Sequence, residues 1–125
     1  MILPFGDYER DLKLEENMLN PRSVSVVIYV RAFAKSSNMV EQERSCKEYA
    51  KSKGWKVIKV FKDKRPWRSR LSAMSKLKAF STAHATKIGC VITYAPSSIA
   101  RDKIEFFERL RFFRKLDIQI RFAIH

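Results

Sequence analysis

Ser23-Val-Ser-Val-Val-Ile-Tyr-Val30 runs straight into Arg31-Ala32-Phe33, and nine residues past Phe33 stands Gln42. Gln42 opens the block Gln42-Glu-Arg-Ser-Cys46-Lys-Glu-Tyr49-Ala50-Lys-Ser-Lys-Gly54-Trp55. The first run is β-branched and almost unbroken in apolarity after Ser25, the pattern of a central strand covered on both faces. Asn38 and Glu41 have the spacing of a capping box, so a helix is predicted from there to about Lys53, with Gly54 as its stop. Its apolar stripe is Cys46, Tyr49 and Ala50. A buried strand followed by an amphipathic helix sets the class, and the rest of the chain repeats the alternation.

Trp55 to Lys62 alternates enough to read as a second strand, one with a wetter edge. Ser72 to Ser81 is a predicted helix presenting Met74, Leu77 and Phe80, and Ile88 to Tyr94 a third, buried strand. After Ala95-Pro96-Ser97-Ser98 one long helix is predicted to about Leu116. Ile118 to Ile124 alternates strictly, with Ile118, Ile120, Phe122 and Ile124 on one face, as a half-buried outer strand does. The order β-α-β-α-β-α-β predicts an α/β protein, a three-layer α/β/α sandwich with a mostly parallel sheet of four to five strands. Residues 1–22 read as an N-terminal extension ending at the turn signal Asn20-Pro21, and residues 23–125 as the domain. Leu12, Leu14, Met18 and Leu19 make the extension either a short helix docked on the body or a flexible tail.

The size, 125 residues, suits one domain with a real core and leaves no room for a second. No apolar run is long enough to span a bilayer, and the N-terminus lacks the apolar region of a signal peptide. The expected location is cytoplasmic, at the nucleoid if the chain binds DNA, with no membrane partner. Cys46 and Cys90 have no partner motif and read as free, buried, reduced thiols. His84 and His125 are isolated, so no metal and no other cofactor is expected. The net charge is +13, and residues 1–22 hold five acids against three bases. The remainder therefore carries a net +15, a field that attracts polyanions. Eleven bases fall between Arg44 and Arg70, with Trp67 inside the densest part.

Tyr29-x-Arg31, the step from Phe33 to Gln42, the block to Gly54-Trp55, and Val57-Ile-Lys-Val60-Phe61-Lys-Asp63 together resemble the N-terminal domain of the serine recombinases (resolvases, invertases and large serine integrases). The resemblance covers roughly residues 24 to 123 and implies a resolvase-like fold. It also implies a phosphodiester site, in which a serine attacks DNA and arginines stabilise the charge on phosphorus. Arg31 matches the first family arginine. Phe33 stands where the family has its serine. Ser97-Ser98-Ile99-Ala100-Arg101 aligns with Asp-Arg-Leu-Ser-Arg, so Arg101 keeps the last arginine while Ser97 and Ser98 replace the acid and the central one. Phe33 offers no hydroxyl, and Ser36 and Ser37 in the adjacent loop stand three and four residues late. In Asp63-Lys64-Arg65-Pro66, the family glycines are gone, and Arg65, Arg68 and Arg70 are alternatives for a family arginine.

These departures predict a domain without strand-transfer activity, not an enzyme, serving as a DNA-binding or recombination-accessory protein. The degenerate site positions are Arg31, Phe33, Gln42, Ser97, Ser98 and Arg101. Nucleic-acid contact is expected from Arg31, Lys64, Arg65, Trp67, Arg68, Arg70 and Arg101, with DNA favoured over RNA. The alternative is an interaction scaffold, a homo-oligomer or a partner of a recombinase or other protein. Its interface would be Phe106, Phe107, Leu110, Phe112 and Phe113, a face wider than one core needs. Cover of Phe112 by the N-terminal extension is the competing account of that face.

Overall fold

The computed structural model of the chain describes residues 24–32, 39–64 and 72–124. The elements run β1 Ser25–Arg31, α1 Met39–Lys53, β2 Lys56–Asp63, α2 Ser72–Ala83, β3 Cys90–Thr93, α3 Pro96–Ile99, α4 Lys103–Arg114 and β4 Gln119–Phe122. The four strands form one sheet in the order β2-β1-β3-β4, every neighbouring pair parallel. Chain direction sets the layers. The step from β1 to β2 moves one way across the sheet, and the later steps to β3 and β4 move the other way. Right-handed crossovers therefore put α1 on one face and α2 and α4 on the opposite one.

Packing follows that division. Under α1, Cys46, Ala50 and Trp55 meet Val26, Ile28, Val30, Cys90 and Ile92. On the other face, Met74, Leu77, Ile99, Phe106, Leu110 and Phe113 cover Val27, Tyr29, Phe61, Val91, Ile120 and Phe122. The three-layer α/β/α architecture expected from the pattern is the one found, with four strands among the described residues. The N-terminal extension and the capping position Asn38 lie outside the described residues. The stop of α1 is a Schellman motif: Gly54 has φ +73, its N–H donates to the Lys51 carbonyl, and the Trp55 N–H donates to Ala50 at 2.9 Å.

Three local expectations need correction. The long helix after Pro96 is two helices. Ala100 between them is extended, and the Asp102 side chain accepts from the Glu105 N–H at 2.8 Å, which starts α4 afresh. β2 does not alternate evenly, because the register slips between Val26 and Val27 and leaves a bulge around Ile58. Val57 and Val60 therefore share the α1 face, while Lys59 and Phe61 lie on the other. Finally, β4 is buried on both sides. Arg121 has 2% exposure, its guanidinium lies 5.7 Å from the centre of the Trp55 ring, and it donates twice to the Gln119 side-chain oxygen.

Candidate functional site

In an open parallel sheet, ligands bind at the carboxyl ends of the strands where the direction of travel reverses. Here that point lies between β1 and β3. Arg31 ends β1, and Ser97, Ser98 and Arg101 follow β3.

Tyr29 and Arg31 point to the same face, two residues apart. The Tyr29 hydroxyl donates to Asp63 Oδ2 at 2.6 Å. Asp63 in turn accepts from the backbone N–H groups of Ala73 at 2.8 Å and Met74 at 3.1 Å. A carboxylate thus caps the positive end of α2 and fixes the tyrosine. Burial first, and then the hydrogen bond and charge of Asp63, push the Tyr29 phenol well above its ordinary range.

Gln42 works on the backbone. Pairing of β1 with β3 stops at Tyr29 and Thr93, two residues short of Arg31. The Gln42 side chain fills in for the missing strand. Its Nε2 donates to the Arg31 carbonyl at 3.1 Å, and its Oε1 accepts from the Arg31 N–H at 3.4 Å. On the β2 side, the Ala32 N–H donates to the Asp63 carbonyl at 3.0 Å. The backbone of Arg31 is therefore held from both sides.

The Arg31 side chain is enclosed, at 1% exposure. Burial lowers the pKa of its guanidinium. Tyr29 and Glu105 oppose that shift, whereas Arg109 and Arg101 add to it. Glu105 is the hub of this group. Its carboxylate lies 3.4 Å from the Arg101 guanidinium and 3.6 Å from that of Arg109, and it accepts from the Arg101 N–H at 2.9 Å. Arg31, Arg101 and Arg109 outnumber the carboxylates of Glu105 and Asp63 on this face, a net positive balance that suits an anion.

The Ser98 hydroxyl is buried and accepts from the Ala95 N–H at 3.3 Å, so it caps α3. Ser97 is exposed and Lys64 is exposed at the end of β2. Phe33, Ser36, Ser37, Arg65, Trp67, Arg68 and Arg70 lie outside the described residues. Arg109 was not anticipated. Its signal was legible all the same: it lies three residues from Phe106 and four from Phe113, an arginine on the inward stripe of a helix.

The Phe-rich interface is corrected. Phe106 and Phe113 have no exposed surface and Leu110 is buried, because all three form the core under the sheet. Phe112 packs against that core with the Lys78 ammonium over its ring. Of the five, Phe107 stays exposed, on the solvent side of α4 with Ile104. Among the described residues no group of three metal-ligating side chains occurs, and no helix is long and apolar enough to cross a membrane.

Residues 26–124 match the family model for the resolvase N-terminal domain. The chain belongs to that family. Solved structures similar to this resolvase domain include the C-terminal catalytic domain of ISC1926 TnpA, an IS607-like serine recombinase. It is 20% identical, with TM-score 0.71, over 80% of this chain and 70% of that one. A resolvase family site-specific recombinase from Streptococcus pneumoniae is 12% identical, with TM-score 0.71, over 81% and 72%. The N-terminal catalytic domain of TP901-1 integrase is 22% identical, with TM-score 0.70, over 79% and 76%. A comparison with curated proteins returns no match.

Membership overturns the expectation that this resolvase domain is not an enzyme. That expectation rested on Phe33, Ser97 and Ser98, whereas the family and its solved members are recombinases and catalytic domains. The structure adds a buried guanidinium to this region, Arg109, which shares Glu105 with Arg101 and lies within electrostatic reach of Arg31.

Proposed function

We propose that this resolvase domain acts on DNA in recombination and holds a backbone phosphodiester at the arginine cluster beside β1 and β3. The observation that carries the reading is the sharing of the Glu105 carboxylate by Arg101 and Arg109, within electrostatic reach of the buried Arg31, where the sheet reverses direction. Guanidiniums already in place, in a site partly shut off from water, favour the charge that builds up on phosphorus during strand transfer. Gln42 supports this by fixing the Arg31 backbone, so the cation need not be ordered when substrate arrives.

A hydroxyl must reach that phosphate. Phe33 cannot supply one, and Ser36 and Ser37 are the hydroxyls that the sequence offers in the same segment. Attack by either would join the serine oxygen to phosphorus and release the DNA hydroxyl of the broken strand. Lysines on α1 and β2 add affinity that ignores sequence and falls with salt.

The test mixes the chain with supercoiled and labelled duplex DNA over a range of salt. Binding should weaken steeply as salt rises, and a covalent protein–DNA adduct should survive denaturation. Arg31→Ala should remove the adduct, as should joint replacement of Ser36 and Ser37 by alanine. Absent or salt-insensitive binding overturns the reading. An adduct that survives both serine replacements overturns the assignment of the hydroxyl.

A further inference from the structure

Arg109 is the arginine that the family motifs do not account for. It sits on the inward stripe of α4, where a helix packed on a sheet ordinarily carries an apolar residue. Its side chain is 9% exposed, and its Nε is buried with no hydrogen-bond partner among the described residues. The ion pair with Glu105 is long, at 3.6 Å, and Glu105 also faces Arg101. An enclosed guanidinium with so little compensation costs folding free energy, because leaving water is repaid only by close, well-bonded partners. A packed leucine or methionine at this position would fold at least as well. The retained charge calls for a ligand.

The loop after β3 shows which one. Ser98 occupies the position at which the resemblance has an arginine, and its hydroxyl, which carries no charge, accepts a hydrogen bond in capping α3. The phosphate site has thus lost a cation from the strand-end loop and gained one from the helix behind it. Arg109 is close enough to Arg31 to disfavour its charged form, and an anion between the two would relieve that.

We infer that Arg109 supplies, from α4, the guanidinium that the phosphate site lacks at Ser98, and that Glu105 holds Arg101 and Arg109 in place until a phosphodiester displaces it. The inference rests on the reading of this cluster as a phosphodiester site. It makes Arg109 a substrate-binding residue and Glu105 its internal competitor.

Two measurements test it. In the first, inorganic phosphate is titrated into the 15N-labelled chain while the Arg Nε–H resonances are followed. The Arg109 signal should move with saturation, and a signal that stays put overturns the inference. In the second, DNA affinity is measured against salt for Arg109→Gln, Arg109→Lys and Glu105→Gln. Loss of one charge-assisted, two-pronged contact should weaken Arg109→Gln by about tenfold. The same variant should reduce the slope of log affinity against log salt by about one.

Arg109→Lys should keep the slope but lose part of the affinity, because an ammonium lacks the planar fork. Glu105→Gln should bind more tightly. A purely structural pair predicts the opposite pattern, with Arg109→Gln and Glu105→Gln both lowering Tm and neither altering affinity; that result sinks the inference. Should Arg109→Gln fail to fold, the lysine and glutamine variants and the phosphate titration still decide. Wild-type protein that ignores DNA would defeat the proposed function alone, since the phosphate titration reports on Arg109 without DNA.

Discussion

Tyr29 and Arg31 lie two residues apart on the same face of β1, yet their surroundings are opposites. Around Tyr29 the account closes: the hydroxyl donates to Asp63, and Asp63 accepts two N–H groups at the start of α2. Around Arg31 it stays open, with Arg101 and Arg109 sharing one carboxylate and leaving net positive charge. One motif therefore serves two ends. Its tyrosine anchors a helix to the sheet, while its arginine belongs to a group that an anion would complete.

The sharpest way to break that comparison is to attack the closed half. Asp63→Ala removes a helix cap and leaves a buried phenol without its acceptor, so it should lower unfolding free energy by about 3 kcal/mol. Tyr29→Phe removes only the hydroxyl bond and should cost about 1 kcal/mol. Urea unfolding measures both. If Asp63→Ala spared stability, the anchor role of Tyr29 and Asp63 would be gone.

Next in size is a contrast between two buried arginines. Arg31→Gln should weaken DNA binding by about tenfold and lower the salt slope by about one. Arg121→Gln, on the opposite face and held by Gln119 and the Trp55 ring, should leave the slope unchanged. Equal losses in the two variants would mean that general basicity, rather than the cluster, binds DNA.

The smallest effect is alkaline. Burial pushes Cys46 and Cys90 up to about 12, and lifts Tyr29 above its ordinary range. Each of these groups is held neutral in the fold and ionises more readily once unfolded. Their contribution is therefore full below about pH 8.5, the thiol value in an open chain, and fades as pH climbs toward the folded values. Thermal unfolding should move to lower temperature above that pH. A chain carrying Cys46→Ala and Cys90→Ala should show a shallower decline; an identical decline would assign the effect elsewhere.

Much of this fold is legible in the amino-acid sequence. β1 and α1 carry redundant local signals, an apolar run and a glycine stop, so their limits come out within a residue or two. The break at Ala100 was hidden because Pro96 to Leu116 has no glycine and its apolar residues continue, while the decisive feature is one Asp102 cap. The bulge in β2 is a pairing property, and no single strand records how its partner slips. At the site, Arg31, Gln42 and Arg101 came from motif spacing. Arg109 did not: its place on the inward stripe is legible, but only the packing of α4 on the sheet brings it within reach of Arg31.

That slip in β2 has a consequence for how copies of this chain coexist at high concentration. Among the described residues, β2 is an outer strand of eight residues with no strand paired on its far side, the kind of rail along which a second chain could stack. A kink around Ile58 spoils the straightness such stacking requires, and exposed lysines at 56, 59, 62 and 64 repel a like neighbour. An irregularity that first looked like imperfect alternation thus helps to keep the sheet to itself.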